Sequence, residues 1–318
     1  MSLIESCLTN NFIQEDDKLF NFLKNNKLFD EETEKASSIR WNSIKKLEED
    51  DGFVHHQFND FCKRYGFKNE DEFVKYLKDI EIIAEIGAGE GRAVDWYLKY
   101  SDATIFALEI SDSVYYLNEK YKNEPRVIIL KADALNHPFK DGTVGLLSME
   151  QSIHHLSSPK NVFNSLSKSL NSNGKVLLSA YAQKSSIREK FDLLIRDQVA
   201  KLDSDKKYKF AKQITELSKI MSQMDINIEI PVEFKEFGEM AGNSYGFQRF
   251  FYYSIMKCFW NDEYSLEKNI EINFDWYNYP VCSKVSLNSA VNWFIDSNLL
   301  IEYIDANESN VNIRGIKS

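Results

Sequence analysis

The sequence predicts an α/β protein built on a doubly wound, Rossmann-like parallel sheet. Between residues 81 and 181, short apolar runs alternate with helical patterns, which is typical of a parallel sheet covered on both faces. A glycine-rich turn follows the first run, at the position where such folds bind ligands. Two late apolar runs, 299–304 and 311–316, predict a closing hairpin.

The composition is that of a globular chain. Its 318 residues are 43% hydrophobic and 14% aromatic, with 12 Gly and 5 Pro, which excludes collagen-like and low-complexity classes. The net charge of -10 repels phosphate backbones, so we expect no nucleic-acid partner. Neither length nor composition indicates the oligomeric state.

Cysteine spacing and the N-terminal residues indicate the compartment. The four cysteines lie far apart in no metal-ligand pattern, so we predict reduced thiols and no metal site. The first twenty residues are acidic where a signal peptide needs a basic start, and no apolar run is long enough to span a membrane. We therefore expect a cytoplasmic protein without a membrane partner.

The strand pattern divides the chain into four parts. Residues 1–80 predict a helical N-terminal extension, 81–181 the cofactor-binding core, 182–285 a mostly helical cap insertion, and 286–318 a helix and strands that complete the sheet. Core strands are predicted at 82–86, 104–108, 127–130, 144–149 and 176–180. A helix starting after Ser158 is expected to end within 171–174.

Two amphipathic helices are predicted in the cap insertion. Apolar residues recur at helical spacing in both. We expect the buried faces to carry Ile187, Phe191, Leu194, Ile195 and Val199 in the first helix, and Phe210, Ile214, Leu217 and Met221 in the second.

The glycine turn follows the first predicted strand and precedes a helix. Gly87, Gly89 and Gly91 permit a tight turn and close backbone approach to a ligand. The dinucleotide fingerprint needs another glycine where this chain has Arg92, which disfavours NAD. Glu85, just before the turn, suits a ligand that carries an ammonium group, as S-adenosylmethionine does.

Two further acids follow the second and third predicted strands. Glu109 is placed to accept hydrogen bonds from both ribose hydroxyls of an adenosine, a role that NAD enzymes share. Asp133 is placed to accept the exocyclic amine of adenine, although a single acid in a loop is more often merely solvated.

With these motifs, residues 82–180 resemble the core of class I S-adenosylmethionine-dependent methyltransferases. Segments 152–156 and 171–175, and the ending 275–280 with 313–315, resemble the small-molecule branch that modifies sugars and natural products. The resemblance implies a seven-stranded sheet whose last two strands form an antiparallel hairpin. It also implies cofactor contacts at Glu85, Gly87, Ala88, Gly89, Gly91, Glu109, Ile110, Asp133, Ala134, Glu150 and Gln151.

Three residues after the fourth predicted strand are candidate bases for an acceptor that must lose a proton. His154 and His155 lie at the carboxyl edge of the sheet, and histidine titrates near neutrality. Glu150 is the reserve base. Packing of the histidines around the pocket floor remains the alternative.

Aromatic and cationic residues in and beside the cap insertion are candidates for acceptor contact, because they suit a sugar or planar molecule. These candidates are Tyr181, Tyr245, Arg249 and Trp276. The sequence thus predicts a small-molecule O- or N-methyltransferase of natural-product biosynthesis, acting on a sugar, peptide or related intermediate. The alternatives are an NAD-dependent oxidoreductase and a catalytically inactive S-adenosylmethionine-binding partner subunit.

Overall fold

The computed structural model describes residues 3–23, 31–44, 51–234, 242–279 and 282–318. The chain divides into two compact units, one of residues 1–182 and 281–318 and one of residues 183–280. The second unit falls inside the insertion that the sequence predicts at 182–285. Among the described residues, no helix is both long enough and apolar enough to cross a membrane.

Strands and helices alternate through much of the described chain. The strands are β1 (Ile13–Gln14), β2 (Leu19–Asn21), β3 (Ile82–Ile86), β4 (Thr104–Glu109), β5 (Val127–Lys131), β6 (Val144–Glu150), β7 (Leu170–Tyr181), β8 (Asn227–Glu229), β9 (Ser244–Gly246), β10 (Leu299–Ala306) and β11 (Asn310–Lys317). The helices are α1 (Leu3–Cys7), α2 (Glu31–Ile44), α3 (Asp51–Arg64), α4 (Glu70–Leu77), α5 (Arg92–Tyr100), α6 (Ser113–Lys120), α7 (Pro159–Lys168), α8 (Ser186–Ala200), α9 (Ser204–Ser222), α10 (Phe247–Ser254), α11 (Leu266–Asn278) and α12 (Leu287–Asp296).

The first unit contains a single mixed sheet over its described residues. Its nine strands lie in the order β1-β2-β5-β4-β3-β6-β7-β11-β10. The six strands from β2 to β7 in that order run parallel, whereas β11 pairs antiparallel with β7 and with β10. The predicted α/β sheet and its closing hairpin are therefore confirmed.

The predicted number of seven strands is wrong. The strands β1 and β2 come from the N-terminal segment that was expected to be helical, and β2 adds to the sheet beside β5. They span two and three residues, too few to show the alternation that marks a strand in sequence. All three residues of β2 are buried, so burial holds this short strand in place.

The strand β7 begins earlier than predicted. Helix α7 ends at Lys168, and Leu170 pairs with Val144 of β6, where the sequence predicts continued helix up to 171–174. The pairing is then irregular until Lys175 meets Leu146. The buried Leu170 side chain contributes to the sheet core rather than to the helix.

The two faces of the sheet pack against different helices. On β4, Phe106 and Leu108 belong to one apolar cluster, while Ile105 and Ala107 belong to the other. Residues of α7 and α12 share the first cluster, and residues of α3, α4, α5 and α6 share the second. This period-two alternation produces three layers with the central strands buried on both sides.

The second unit contains helices where two were predicted, and α8 buries Val199 of its predicted face together with a second stripe that was not predicted. Phe191 and Leu194 are 42% and 61% exposed, while Arg188 and Arg196 are buried around Asp192. In α9, Ile214 and Met221 are buried as predicted, and Leu217 is exposed. An interior ion cluster, rather than the apolar stripe, sets the orientation of α8.

Candidate functional site

The glycine turn starts where β3 ends. The backbone N–H groups of Gly87 and Ala88 both donate to the carbonyl oxygen of Leu108, at 2.8 and 3.0 Å, which ties the turn to β4. Gly87 has φ +76°, and a Cβ there would lie 2.5 Å from the Cβ of Ser152. Only glycine fits this position, and its backbone stays accessible at the carboxyl edge of the sheet.

The end of the turn forms the start of helix α5. Gly91 has φ +88°, and a Cβ there would lie 2.4 Å from the hydroxyl oxygen of Tyr121. That hydroxyl lies 2.9 Å from the carbonyl oxygen of Gly91 and 2.6 Å from Asp95. The residue after α6 thus holds the turn in shape from the side opposite β3.

Glu109 connects the turn to the end of β4. One carboxylate oxygen accepts the backbone N–H of Gly89 at 3.0 Å, and the other accepts those of Ile110 and Ser111 at 2.9 Å. The side chain is buried. Carboxylate oxygens have lone pairs beyond those used here, so Glu109 can still accept a ligand's hydroxyl groups.

Asp133 lies just beyond the end of the neighbouring strand β5. Glu109 is in register with Lys131, which places Asp133 two residues further along at the same edge of the sheet. Its Oδ1 accepts the backbone N–H of Leu135 at 2.9 Å and starts a short 3₁₀ turn with buried Ala134. The structure therefore brings the second and third acids to adjacent strand ends, as the sequence predicts.

Glu85 is a buried acid on β3. Its Oε2 makes no hydrogen bond to any described residue, and the same holds for the buried hydroxyl of Ser152. Burial raises the pKa of Glu85 well above its usual range, a hydrogen bond from Ser148 lowers it in part, and the charge of Glu150 raises it further. Tyr97 donates to Ser148 at 2.8 Å and so orients that hydroxyl.

Glu150, at the end of β6, is bound by two residues that sequence reasoning missed. The guanidinium of Arg64 pairs with one carboxylate oxygen, and the hydroxyl of Tyr65 donates to the other at 2.7 Å. Both donors come from the end of α3, and no local motif marks them. Because both oxygens of Glu150 are engaged, this geometry favours a positioning role over that of a base.

We expect Arg64→Ala to lower the free energy of unfolding by about 3 kcal/mol, because it leaves the Glu150 carboxylate, whose side chain is only 13% exposed, without its cation. Tyr65→Phe removes only one hydrogen bond, so its expected cost is about half as large. Urea unfolding of both variants measures the difference. If Arg64→Ala and the unchanged protein have the same free energy of unfolding, the ion pair between Arg64 and Glu150 does not stabilise the fold.

The histidine pair lies behind the carboxyl edge. The His154 ring is fully buried and stacks on Tyr181, with ring centroids 3.7 Å apart and an interplanar angle of 22°. The backbone N–H of Tyr181 donates to His154 Nδ1 at 3.4 Å, so Nδ1 acts as an acceptor in this geometry. His155 is slightly less buried, and Gln151 adopts φ +52° at the end of β6.

Helix α2 lies over the same edge. Thr33 donates to the carbonyl oxygen of His155 at 3.3 Å, and the hydroxyl of Ser38 accepts the backbone N–H of Asp112 at 3.0 Å. These contacts place part of the N-terminal extension beside the predicted cofactor residues.

The remaining predicted acceptor residues belong to the second unit. Trp276 is buried there and donates from its indole N–H to Asp192 at 2.6 Å, so it is part of that unit's interior. The Tyr245 ring lies 6.1 Å from that of Tyr253. Arg249 is exposed, with its guanidinium 5.9 Å from the ring centroid of Tyr252. Their role in acceptor contact stays a prediction.

The side chains present at the carboxyl edge fit S-adenosylmethionine. An amino-acid ammonium group is the kind of donor that the unpartnered oxygen of buried Glu85 requires. Glu109 offers oxygens for ribose hydroxyls, and the turn at Gly87 leaves its backbone open to close approach. The fit involves the acids and glycines that the sequence singles out.

Comparisons with known proteins match part of this chain to a family model. Residues 84–178, less than a third of the chain, match the family model described as a methyltransferase domain. This match supports the predicted cofactor, S-adenosylmethionine. The sequence has no match among curated proteins.

Several solved structures align with this chain at low identity. An S-adenosylmethionine-dependent methyltransferase from Mesorhizobium loti is 9% identical with a TM-score of 0.45, over 79% of this chain and 99% of that one. A 1,6-didemethyltoxoflavin-N1-methyltransferase from Burkholderia thailandensis is 7% identical with a TM-score of 0.43, over 92% of each chain. Residues 84–178 of this chain are thus similar to a methyltransferase domain.

Proposed function

We propose that the chain is an S-adenosylmethionine-dependent methyltransferase that methylates an oxygen or nitrogen atom of a small molecule. The observation that carries this proposal is the convergence of Glu85, the glycine turn, Glu109 and Asp133 at one edge of the sheet. The net charge of -10 favours a small acceptor over a nucleic acid. A sugar, peptide or natural-product intermediate in the cytoplasm fits this proposal.

When bound, the cofactor supplies an electrophilic methyl group on a sulfonium. The protein's task is to hold the methyl donor and the acceptor in line. Orientation of this kind lowers the activation barrier by about 7 to 11 kcal/mol. Glu85 binds the ammonium end, Glu109 the ribose and Asp133 the adenine. The tie between Gly89 and Glu109 keeps the turn and the ribose site at a fixed separation.

An acceptor hydroxyl or protonated amine must also lose a proton. In His154, Nδ1 already accepts the backbone N–H of Tyr181. We therefore assign the role of base to His155, with His154 and Tyr181 supporting it through ring contacts. Glu150 is assigned to holding α3 at the site.

Calorimetric titration tests the proposed function. We expect S-adenosylmethionine and S-adenosylhomocysteine to bind and NAD to fail, because Arg92 stands where the dinucleotide fingerprint requires glycine. Binding of NAD without either adenosyl ligand would instead identify an oxidoreductase. Binding of the adenosyl ligands with no methyl transfer from labelled cofactor to any of a broad panel of acceptors would identify an inactive partner subunit.

A further inference from the structure

The carboxyl group of Glu85 is enclosed by its own sheet and one helix. It is 2% exposed, and it lies on β3 between β4 and β6. The hydroxyl of Ser148 and the backbone of Glu150 are its polar neighbours from β6, and Tyr97 faces it from α5. Its Oε2 makes no hydrogen bond within the described part of the chain.

The cation at the end of β6 is paired with a different acid. Arg64, from α3, forms its ion pair with Glu150, and Tyr65 donates to the same carboxylate. Among the described residues no cation is paired with Glu85, and the charge of Glu150 raises its pKa further. A buried carboxyl group in that position takes up a proton rather than remaining ionised.

The neighbouring hydroxyls cannot replace a cation. Tyr97 and Tyr65 have pKa values raised well above the usual range, chiefly by burial, so they are neutral donors. The hydroxyl of Ser148 accepts a hydrogen bond from Tyr97 and donates its own hydrogen to Glu85, so it supplies Glu85 with one hydrogen bond. Burial of Glu85 outweighs that single bond, and its pKa stays raised.

Building on the function proposed above, we propose that Glu85 carries a proton in the ligand-free protein and releases it when the cofactor's ammonium group binds. The O–H bond of the carboxyl group breaks, the proton passes to the buffer, and an ammonium N–H donates to the resulting carboxylate. Cofactor binding and the ionisation of Glu85 are then one linked equilibrium. The affinity for the cofactor rises with pH while Glu85 is protonated in the free protein.

The linkage has a defined magnitude and range. The ammonium of a free α-amino group loses its own proton near pH 7.7 to 8.0, so the effect is best measured at about pH 6.5. Release of about one proton makes the association constant rise about tenfold per pH unit there. S-adenosylhomocysteine has the same ammonium group and behaves in the same way.

Calorimetry in two buffers of different ionisation enthalpy measures the released protons directly. At pH 6.5 we expect about one proton per S-adenosylhomocysteine bound to the unchanged protein, and about none for Glu85→Gln. 5′-Methylthioadenosine lacks the ammonium group, so its binding is expected to release none. Glu109→Gln is the matched control, since it changes the ribose site on the next strand and should bind more weakly with the same proton count.

The ligand-free protein provides a second measurement. A protonated Glu85 makes folded chains bind a proton that unfolded chains have lost above pH 4.5, so the stability of the fold falls as pH rises. Glu85→Gln removes this slope, and the difference between the two stability-pH curves isolates it. Cofactor binding with no proton release, or identical slopes for the two proteins, would overturn the inference and leave the proposed function intact. Failure of both adenosyl ligands to bind would instead refute the proposed function.

Discussion

Glu109→Ala is expected to weaken the binding of S-adenosylmethionine about 100-fold or more. Two hydrogen bonds from ribose hydroxyls to a charged acceptor contribute about 1.5 to 3 kcal/mol each, and each 1.4 kcal/mol is a factor of ten. The same carboxylate holds the backbone N–H groups of Gly89, Ile110 and Ser111. Its removal therefore also loosens the turn, and isothermal titration measures the combined loss.

Two variants separate these contributions. Glu109→Gln keeps an acceptor oxygen for the turn, so we expect it to retain most of the fold's stability while binding the cofactor less tightly than the unchanged protein. Glu119→Ala removes an exposed acid paired with Lys122 on the surface, and its affinity should be unchanged. An affinity for Glu109→Ala within twofold of the unchanged protein would contradict the assigned ribose site.

Asp192→Ala is expected to destabilise the second unit by about 3 to 5 kcal/mol. Asp192 accepts Arg188 at 3.2 Å, Arg196 at 2.7 Å and the indole N–H of Trp276 at 2.6 Å, and all four side chains are buried. Without the carboxylate, two buried guanidinium groups lose their counter-charge. Urea unfolding followed by circular dichroism measures the loss of stability.

The same helix provides the control. Asp197 pairs with Lys201 at 2.9 Å with both side chains exposed, so Asp197→Ala should change stability by less than about 1 kcal/mol. Asp192→Asn keeps the shape of the side chain and one acceptor oxygen. We therefore expect its loss of stability to lie between those of Asp192→Ala and Asp197→Ala. If Asp192→Ala and Asp197→Ala unfold at the same urea concentration, the buried cluster is not needed for folding.

The core strands were predictable because their signal is local. The strand β3 has the predicted bounds, and β4, β5 and β6 each extend by a single residue beyond them. Continuous apolar runs mark strands that are buried on both faces. The strand β2 escaped prediction because its stability comes from pairing with β5, more than a hundred residues away in sequence, and β1 in turn pairs with β2.

The helix α8 shows the limit of the hydrophobic pattern. Its apolar residues at helical spacing predict the helix but not its buried face, because Arg188, Asp192 and Arg196 also recur every four residues. The two arginines of that second stripe pair with the one carboxylate of Asp192 in the interior, and sequence hydrophobicity does not register these pairs.

The candidate site was predictable in its acids and glycines, since parallel strands bring their carboxyl ends to one edge. The contribution of α3 could not be predicted from the sequence. Arg64 and Tyr65 lie outside any motif and reach Glu150 only through the tertiary fold. The proposed protonation of Glu85 likewise depends on burial by the tertiary fold, which no local pattern shows.

The placement of β2 also guards the protein against aggregation. The strand β5 is a run of Val-Ile-Ile-Leu-Lys whose side chains are all buried, and its outer backbone groups bond to β2. An apolar strand with open backbone groups would recruit strands from other molecules. On this side the sheet ends instead at β1, whose two exposed residues offer too short a template for such growth.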